Sequence, residues 1–485
     1  MLARALLKAK HSPTMSTLNQ PNESAPVLSA RIFWILFALI ALAGTAARMW
    51  ECASWRKTGF DELLYRRYVN LMDGGTQQVG VFQRDQSLQA WEFKVSGSGA
   101  GAMPSLTSLF LRTQAKPGTE CELPPTRFLY IYTSWLWKTA RYGDAPPLPM
   151  AELGKEWRMK PEDWGSQERS RDADHRDPAL ASLHQVAFFF SILLMIVGGL
   201  CAWRMLGRGA GLGVLALMAC DPIQLHLSQH AMVDGFFTFW AMMCLWTTWE
   251  CLRAPANRGW LVAHTLCLAL MVMTKENSFF VYCALALVVC ANRWLKYGTV
   301  TPRFLAFSVI GPATGVLVLV VLAGGFEPFI GVYQTLVAKA QNLPYAQQTG
   351  DGPWYRYLLD IMTVSPIVLV LALGALFALV PQRRELAFLA LFVAGGYLIM
   401  CNVKYGMNLR YASIWELPLR TAAFAMVWHL CSRFGHRQWL GATVLIAALC
   451  VYEFRQYSIF ATNPSHALYE LVPSDLLKLV NVIKG

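Results

Sequence analysis

The sequence has few charged residues and lacks the motifs of common soluble enzymes. Asp, Glu, Lys and Arg make up 15% of its 485 residues, against about 25% in soluble globular domains. It holds no P-loop, dinucleotide-binding fingerprint or Cys-rich metal motif. Residues 1–30 lack the apolar core of a secretory signal. We expect those residues to form a disordered cytoplasmic tail.

Long apolar runs are abundant instead. Hydrophobic residues make up 55% of the chain, and a spanning helix needs about 20 mostly apolar residues. Counting the run at 32–50, the sequence predicts about eleven spans, the others at 185–203, 209–233, 235–249, 259–274, 277–292, 304–326, 361–381, 386–403, 411–430 and 439–452. We therefore predict an all-α polytopic membrane protein with a large first external loop that contains interfacial helices.

The distribution of basic residues predicts the orientation of these spans. The formal net charge is +12, and the bases recur at alternate connections, as at Arg204, Arg253, Arg293, Arg383 and Arg433. The connection from 221 to 234 has no Lys or Arg. Under the positive-inside rule this pattern predicts a cytoplasmic N-terminus, in a bacterial-type inner membrane. The excess charge is therefore explained by topology, and we expect no nucleic-acid partner.

The spans divide the chain into a transmembrane domain at 31–455, with external loops at 51–183 and 327–360, and an external tail at 456–485. In the first loop, apolar residues recur at helical spacing from Asp61 to Met72. The stretch SGSGAG at 96–101 predicts a flexible break. The aromatic and basic stretch PPTRFLYIYTSWLWKTARYG is typical of an interfacial helix. Cys52 and Cys121 share this loop, and both a disulfide and two free thiols stay open.

Polar residues that lipid should exclude occur at four places along the chain. Ionisable groups at membrane depth indicate function, and the predicted topology puts all four places on the outer face. These residues are Asp61 and Glu62 after the first span, Asp221, His226, His230 and Asp234 before the fourth, Lys275 and Glu276 after the fifth, and Lys404, Arg410 and Tyr411 before the tenth.

Several of these residues also have ordinary structural explanations. Asp61 could cap a helix, and Lys275 could neutralise Glu276 across a tight turn. Glu416 and Arg420, at i and i+4, favour a structural ion pair.

A metal site is the less favoured explanation of the histidines. His226 and His230 are spaced to share one helix face, and Asp234 could supply a third ligand. The H-E-x-x-H type of motif is missing, however. We therefore expect no cofactor and no metal ligands, although a divalent metal is left open.

Acids and bases at one membrane surface suit transfer of a group from a lipid-linked phosphate. A carboxylate can take the proton of the acceptor hydroxyl, and Lys and Arg can hold the departing phosphate. The expected partners are a polyprenyl-phosphate sugar donor, a lipid, glycan or protein acceptor, and membrane lipids. The ionisable residues cluster at one face of the membrane, and the sequence does not show two related halves. Both features favour this enzyme over a transporter of an anionic or lipid-linked substrate. A non-catalytic scaffold is a weaker alternative.

Short motifs in a fixed order carry a family resemblance: FDELLYRRYVNLM, DPIQLHLSQHAMVDGFF, MVMTKENSFF, GDGPWYRYLLDIMTVSP and NLRYASIWELP. The chain resembles the integral-membrane GT-C glycosyltransferases, in the branch of protein O-mannosyltransferases and lipid A aminoarabinose transferases. The resemblance implies an inverting hexosyl or pentosyl transferase with a periplasmic active site and Asp61 as general base. It further implies an acceptor network of Glu62, His230 and Asp234, and donor-phosphate contacts from Lys275, Lys404, Arg410, Tyr411 and Arg356. It does not identify the sugar, the acceptor or the polyprenyl length.

Overall fold

The structure is a computed structural model that describes residues 29–50, 61, 62, 65, 66, 68, 69, 78–85, 90–98, 127–143, 177–322, 326, 329, 330, 333, 352–403 and 407–462. These described residues are predominantly helical. Lys404, Cys52 and Cys121, which the sequence analysis singled out, lie outside them.

The helices follow one another with short connections from residue 177 to 322. In chain order they are α1 (Ala30–Met49), α2 (Phe128–Tyr142), α3 (Pro178–Leu206), α4 (Arg208–Ala219), α5 (Pro222–Ser228), α6 (Val233–Arg253), α7 (Arg258–Val272), α8 (Ser278–Leu295), α9 (Pro302–Leu322), α10 (Arg356–Val364), α11 (Pro366–Ala378), α12 (Arg384–Met400), α13 (Glu416–Cys431) and α14 (Gln438–Thr462). Two 3-10 helices, Leu409–Trp415 and Ser432–Arg437, flank α13.

The first loop holds an antiparallel hairpin that the sequence analysis did not predict. Strands β1 (Gln78–Asp85) and β2 (Ala90–Ser98) pair with Phe82 opposite Phe93. The alternation of apolar residues in AWEFKV was the available signal, because a period of two is typical of strands. β2 also occupies the first three residues of the predicted flexible break at 96–101. The polytopic helical fold class is otherwise confirmed.

Four described helices are long and apolar enough to cross a membrane: α1, α3, α8 and α9. The pair α4 and α5 makes a fifth candidate, bent by 58° at its break. The predicted count of about eleven spans is therefore not established. The predicted span at 209–233 is broken in the middle, because Asp221 caps a new helix that begins at Pro222.

Two other predicted spans are also divided. The span at 361–381 breaks at Ser365, where Pro366 opens α11, because proline cannot continue the hydrogen bonding of α10. The span at 411–430 begins as a 3-10 helix and becomes α-helical at Glu416. At the other boundary, α14 runs to Thr462 and so passes the predicted domain end at residue 455.

Glycine allows α3 and α4 to pack closely. A Cβ placed on Gly211 would lie 2.7 Å from Cβ of Trp203 and 3.2 Å from the carbonyl oxygen of Gly199. The stretch GRGAGLG at 207–213 therefore serves helix packing in a membrane protein, as small residues commonly do.

We predict that Gly211→Ala lowers the thermal stability of the detergent-solubilised protein, because the new methyl group collides with Trp203 and the α3 backbone. Overpacking of this kind costs about 1–3 kcal/mol. Gly209→Ala is the matched control on the same helix, since a Cβ there meets nothing within 4 Å and alanine favours helix. Equal melting temperatures for the two variants would contradict this packing.

Candidate active site

The two acids of the first loop take different positions. Asp61 and Glu62 are helical. Oδ2 of Asp61 lies 2.6 Å from Nη1 of Arg410, and the Asp61 side chain is 23% exposed. Glu62, its neighbour, is fully buried. Asp61 is therefore the member of the pair that a substrate can reach.

Glu62 joins the first loop to the transmembrane helices. Oε1 of Glu62 accepts a hydrogen bond from the backbone N–H of Ala231 at 2.7 Å. The same oxygen lies 2.9 Å from Nε2 of His184 and 3.4 Å from Nδ1 of His230. These contacts place His230 beside Glu62, as the network predicted from the sequence requires, and they hold the adjacent Asp61 in position.

Asp234 lies in the first turn of α6, where the helix N-terminus favours a carboxylate. Its Oδ1 lies 2.5 Å from Nζ of Lys275, in the turn between α7 and α8. Its Oδ2 is 3.9 Å from Nη1 of Arg410. One guanidinium therefore faces both Asp61 and Asp234, whose positions are far apart in the sequence.

Tyr411 lies beneath the cations. Its ring centre is 4.1 Å from Nζ of Lys275 and 5.8 Å from Cζ of Arg410. An aromatic face attracts a cation at such distances. The sequence prediction that Lys275, Arg410 and Tyr411 lie together is thereby matched by the geometry.

The alternative in which Lys275 neutralises Glu276 was wrong. Lys275 is directed to Asp234, and Oε1 of Glu276 lies 3.2 Å from Nη2 of Arg127 at the start of α2. The backbone N–H of Leu129 donates to the carbonyl oxygen of Met273 at 3.0 Å. Helix α2 therefore docks on the turn that carries Lys275.

Arg127 is a cation of the site that the sequence analysis did not assign. Its Cζ lies 5.3 Å from the ring centre of Tyr65, four residues after Asp61. Burial raises the pKa of Tyr65 well above its usual value, so the phenol stays neutral. The basic residue directly before the aromatic run of α2 was the signal that could have found Arg127.

His184 was also missed, although it carries a signal of the same kind. It is a histidine at the start of the long apolar helix α3, and it is buried. Polar residues at that depth indicate a structural or functional partner, which here is Glu62.

The remaining predicted residues have other neighbours. The ring centres of His226 and His230 are 4.3 Å apart, but no three His, Cys, Asp or Glu side chains among the described residues are grouped to hold a metal. Arg356 lies on α10, where Nε is 3.6 Å from Oδ2 of Asp360.

A known protein family is similar to part of the chain. The model of the dolichyl-phosphate-mannose-protein mannosyltransferase family matches residues 166–323. That region contains His184, His230, Asp234 and Lys275, whereas Asp61 and Arg410 lie outside it. Among curated proteins, no sequence matches the chain.

Solved structures are similar to this chain at low sequence identity. The oligosaccharyltransferase of Archaeoglobus fulgidus, in its apo form, is 12% identical with a TM-score of 0.55, over 90% of this chain and 56% of its own. ArnT from Cupriavidus metallidurans bound to undecaprenyl phosphate is 13% identical with a TM-score of 0.49, over 92% of this chain and 76% of its own. This chain is thus a polytopic helical membrane protein that shares its fold with the archaeal oligosaccharyltransferase, and its residues 166–323 are similar to the dolichyl-phosphate-mannose-protein mannosyltransferase family.

Proposed function

We propose that the protein transfers a sugar from a polyprenyl-phosphate donor to an acceptor hydroxyl, with inversion at the anomeric carbon and with Asp61 as general base. The observation that carries this proposal is the contact of one guanidinium, that of Arg410, with the accessible Asp61 and with Asp234 beside Lys275. Such a site offers a proton acceptor and phosphate-binding cations within one side-chain length of each other.

The proposed reaction is a single displacement. The acceptor oxygen forms a bond to the anomeric carbon while the bond from that carbon to the phosphate oxygen breaks. The acceptor proton goes to the Asp61 carboxylate, and the bonding electron pair leaves with the lipid phosphate. Because attack and departure occur on opposite faces of the sugar, one displacement inverts the configuration.

Burial selects Asp61 as the base among the three acids of the cluster. Glu62 is fully buried and already accepts hydrogen bonds from Ala231 and His184. Asp234 is 3% exposed and paired with Lys275. Asp61 alone of these three combines exposure with a carboxylate oxygen that a substrate hydroxyl can approach. Glu62, His184 and His230 act by holding it in position.

Three cations are available to the donor phosphate. Arg410 pairs with Asp61, Lys275 with Asp234, and Arg127 with Glu276. Each of these side chains has a carboxylate partner, so a phosphate group enters as a further acceptor for cations that are already fixed. Preorganised cations of this kind stabilise the negative charge that develops on a leaving phosphate. Lys404, Tyr411 and Arg356 complete the proposed donor-binding residues.

The proposed side of the membrane is the outer, periplasmic face. Basic residues such as Arg204, Arg253 and Lys296 lie at the opposite helix ends from the site, where Arg204 pairs with Glu250 at 2.8 Å and Arg384 donates to the carbonyl oxygen of Lys296 at 2.9 Å. This asymmetry supports an inner-membrane protein with a cytoplasmic N-terminus.

The donor class is proposed from the chemistry of the site together with the family description. Cations beside a membrane-embedded helical domain suit an anionic lipid headgroup, and the matching family is described by dolichyl-phosphate mannose. Mannose on a polyprenyl phosphate is therefore the first donor to test. A lipid, a glycan or a protein provides the acceptor hydroxyl.

We predict that Asp61→Asn lowers sugar transfer by at least ~100-fold, because an amide cannot take up the acceptor proton. The assay follows release of polyprenyl phosphate from polyprenyl-phosphate mannose by the purified protein in nanodiscs. In cells, mass spectrometry of glycans with and without the gene identifies the acceptor.

The control for this prediction is to measure folding and donor binding of the Asp61→Asn variant. Asp61→Asn should stay folded and bind the donor, because asparagine preserves the size of the side chain and Arg410 keeps the Asp234 carboxylate 3.9 Å away. Undiminished turnover in Asp61→Asn would remove Asp61 from the role of base.

We predict that Arg127→Gln weakens donor affinity by about tenfold or more, since a charge-assisted hydrogen bond contributes about 1.5–3 kcal/mol. Arg141→Gln is the matched control, because Arg141 is exposed at the other end of the same helix α2. Isothermal titration with a polyprenyl phosphate measures both variants. Equal affinities for the two would show that Arg127 serves only to dock α2.

A further inference from the structure

A second group of charged residues is buried behind the candidate active site. Nη2 of Arg420 lies 2.9 Å from Oδ1 of Asp221 and 3.0 Å from Oε2 of Glu416, and Nη1 lies 3.1 Å from Oε2 of Glu453. The four side chains are at most 2% exposed. The predicted ion pair of Glu416 with Arg420 is confirmed, and the structure adds two partners that the sequence did not indicate.

The three carboxylates belong to different segments of the chain. Asp221 caps α5 by accepting from the backbone N–H groups of Ile223 at 2.9 Å and Gln224 at 3.2 Å. Glu416 is the first residue of α13, directly after the 3-10 helix Leu409–Trp415. Glu453, on α14, also accepts from Oγ of Ser365 at 2.7 Å. One guanidinium thus fixes the start of α5 relative to the end of the 3-10 helix.

Those two segments lead to opposite halves of the active site. From Asp221 the chain continues through α5 to Ala231, which binds Glu62, and to Asp234. The 3-10 helix that ends before Glu416 carries Arg410. The alignment of α5 with this 3-10 helix therefore sets the distances from Arg410 to the carboxylates.

Direct contacts also join the two halves. Oγ1 of Thr238 lies 2.6 Å from Oγ of Ser413, and Sδ of Met232 accepts from Nη1 of Arg410 at 3.6 Å. Neither contact joins two charged groups, and the ion pair across the halves, Arg410 with Asp234, is long at 3.9 Å. The contacts of Arg420 with its carboxylate partners are 2.9–3.1 Å and buried. Removing one partner of such a group is strongly unfavourable for the other, so its geometry is held tightly.

The chemistry of arginine suits this task. Its planar guanidinium presents several N–H donors in a fixed fork, which allows it to bind carboxylates from different directions at once. Arg48 fixes the same corner from α1, because its Nη1 and Nη2 donate to the carbonyl oxygens of Ala219 and Met218, both at 3.2 Å. Those residues directly precede the break at Cys220 and Asp221.

We propose that Arg420 is a positioning residue of the transferase: by tying Asp221 to Glu416 it sets Arg410 at the separation from Asp61 and Asp234 at which the donor phosphate binds. This inference rests on the proposed function. In this proposal Arg420 does not contact the substrate. Its carboxylate partners contribute unequally to donor binding. The contact with Asp221 matters for the site, whereas the contact with Glu453 only joins α13 to α14.

Two variants separate these contacts. Asp221→Asn and Glu453→Gln each replace one carboxyl partner of Arg420 with a neutral amide, and asparagine keeps the side-chain oxygen that caps α5. The probe is undecaprenyl phosphate titrated into the purified full-length protein in nanodiscs. Asp221→Asn should weaken its affinity about tenfold, and Glu453→Gln should leave it within about twofold.

Hydrogen exchange provides a readout that does not depend on the lipid. In Asp221→Asn, peptides covering 221–234 and 409–416 should exchange faster than in the wild-type protein, and in Glu453→Gln they should not. Faster exchange over the whole protein would indicate a general folding role and would overturn the proposal. Unchanged exchange in Asp221→Asn, or equal losses of affinity in both variants, would overturn it as well.

A cross-link tests positioning directly. The side-chain oxygens of Thr238 and Ser413 lie 2.6 Å apart, so Thr238→Cys/Ser413→Cys places two thiols beside each other for a disulfide bond. Diamide takes up the two hydrogens of the thiols as the bond forms. In the Asp221→Asn background this disulfide should restore undecaprenyl phosphate binding, and dithiothreitol should abolish the rescue; Asp221→Asn without the added cysteines serves as control.

The experiments distinguish failure of the proposed donor from failure of the proposed role of Arg420. If the wild-type protein does not bind undecaprenyl phosphate while the exchange pattern is as expected, the proposed donor is wrong and the role of Arg420 in alignment stands. If the wild-type protein binds it and the disulfide gives no rescue, the donor proposal stands and the positioning role of Arg420 is wrong.

Discussion

The structure depends on the pairing of charges that are withdrawn from water. An unpaired charge in a low-dielectric interior is unfavourable by several kcal/mol, so buried cations and carboxylates must find one another as the chain folds. Among the residues that the structure describes, two larger groups of this kind bear on the candidate site, besides smaller pairs such as Arg356 with Asp360. One group contains Asp61, Asp234, Lys275 and Arg410, and the other surrounds Arg420. Because partners in each group are distant in sequence, the pairing fixes the tertiary arrangement of the helices that carry them.

The two groups differ in exposure, and that difference assigns their roles. The Arg420 group is closed to solvent and stays within the protein. In the active-site group, the Asp61 carboxylate is partly exposed while Glu62 beneath it is fully buried. A carboxylate that is positioned by buried neighbouring residues and partly exposed to solvent can exchange a proton with a bound substrate. The proposed function thus uses charge pairing that also helps to hold the helices together.

Composition and charge alternation predicted the fold class, and the isolated charges in apolar surroundings predicted that Asp61, Asp234, Lys275 and Arg410 lie together. The partners within the group could not be predicted, because Lys275 is adjacent to Glu276 in sequence and yet pairs with Asp234. Long-range pairing depends on how helices cross, which local patterns do not encode. The helix breaks at Asp221 and Ser365 were missed because hydropathy ignores capping and proline.

The most direct test is a cryo-electron microscopy structure of the protein in nanodiscs with undecaprenyl phosphate. The account predicts phosphate density in contact with Arg410 and Lys275, close to the Asp61 carboxylate and on the side of the bundle that holds α2. A lipid phosphate bound elsewhere, with the contacts from Arg410 to Asp61 and from Lys275 to Asp234 unchanged and no ligand beside them, would contradict it.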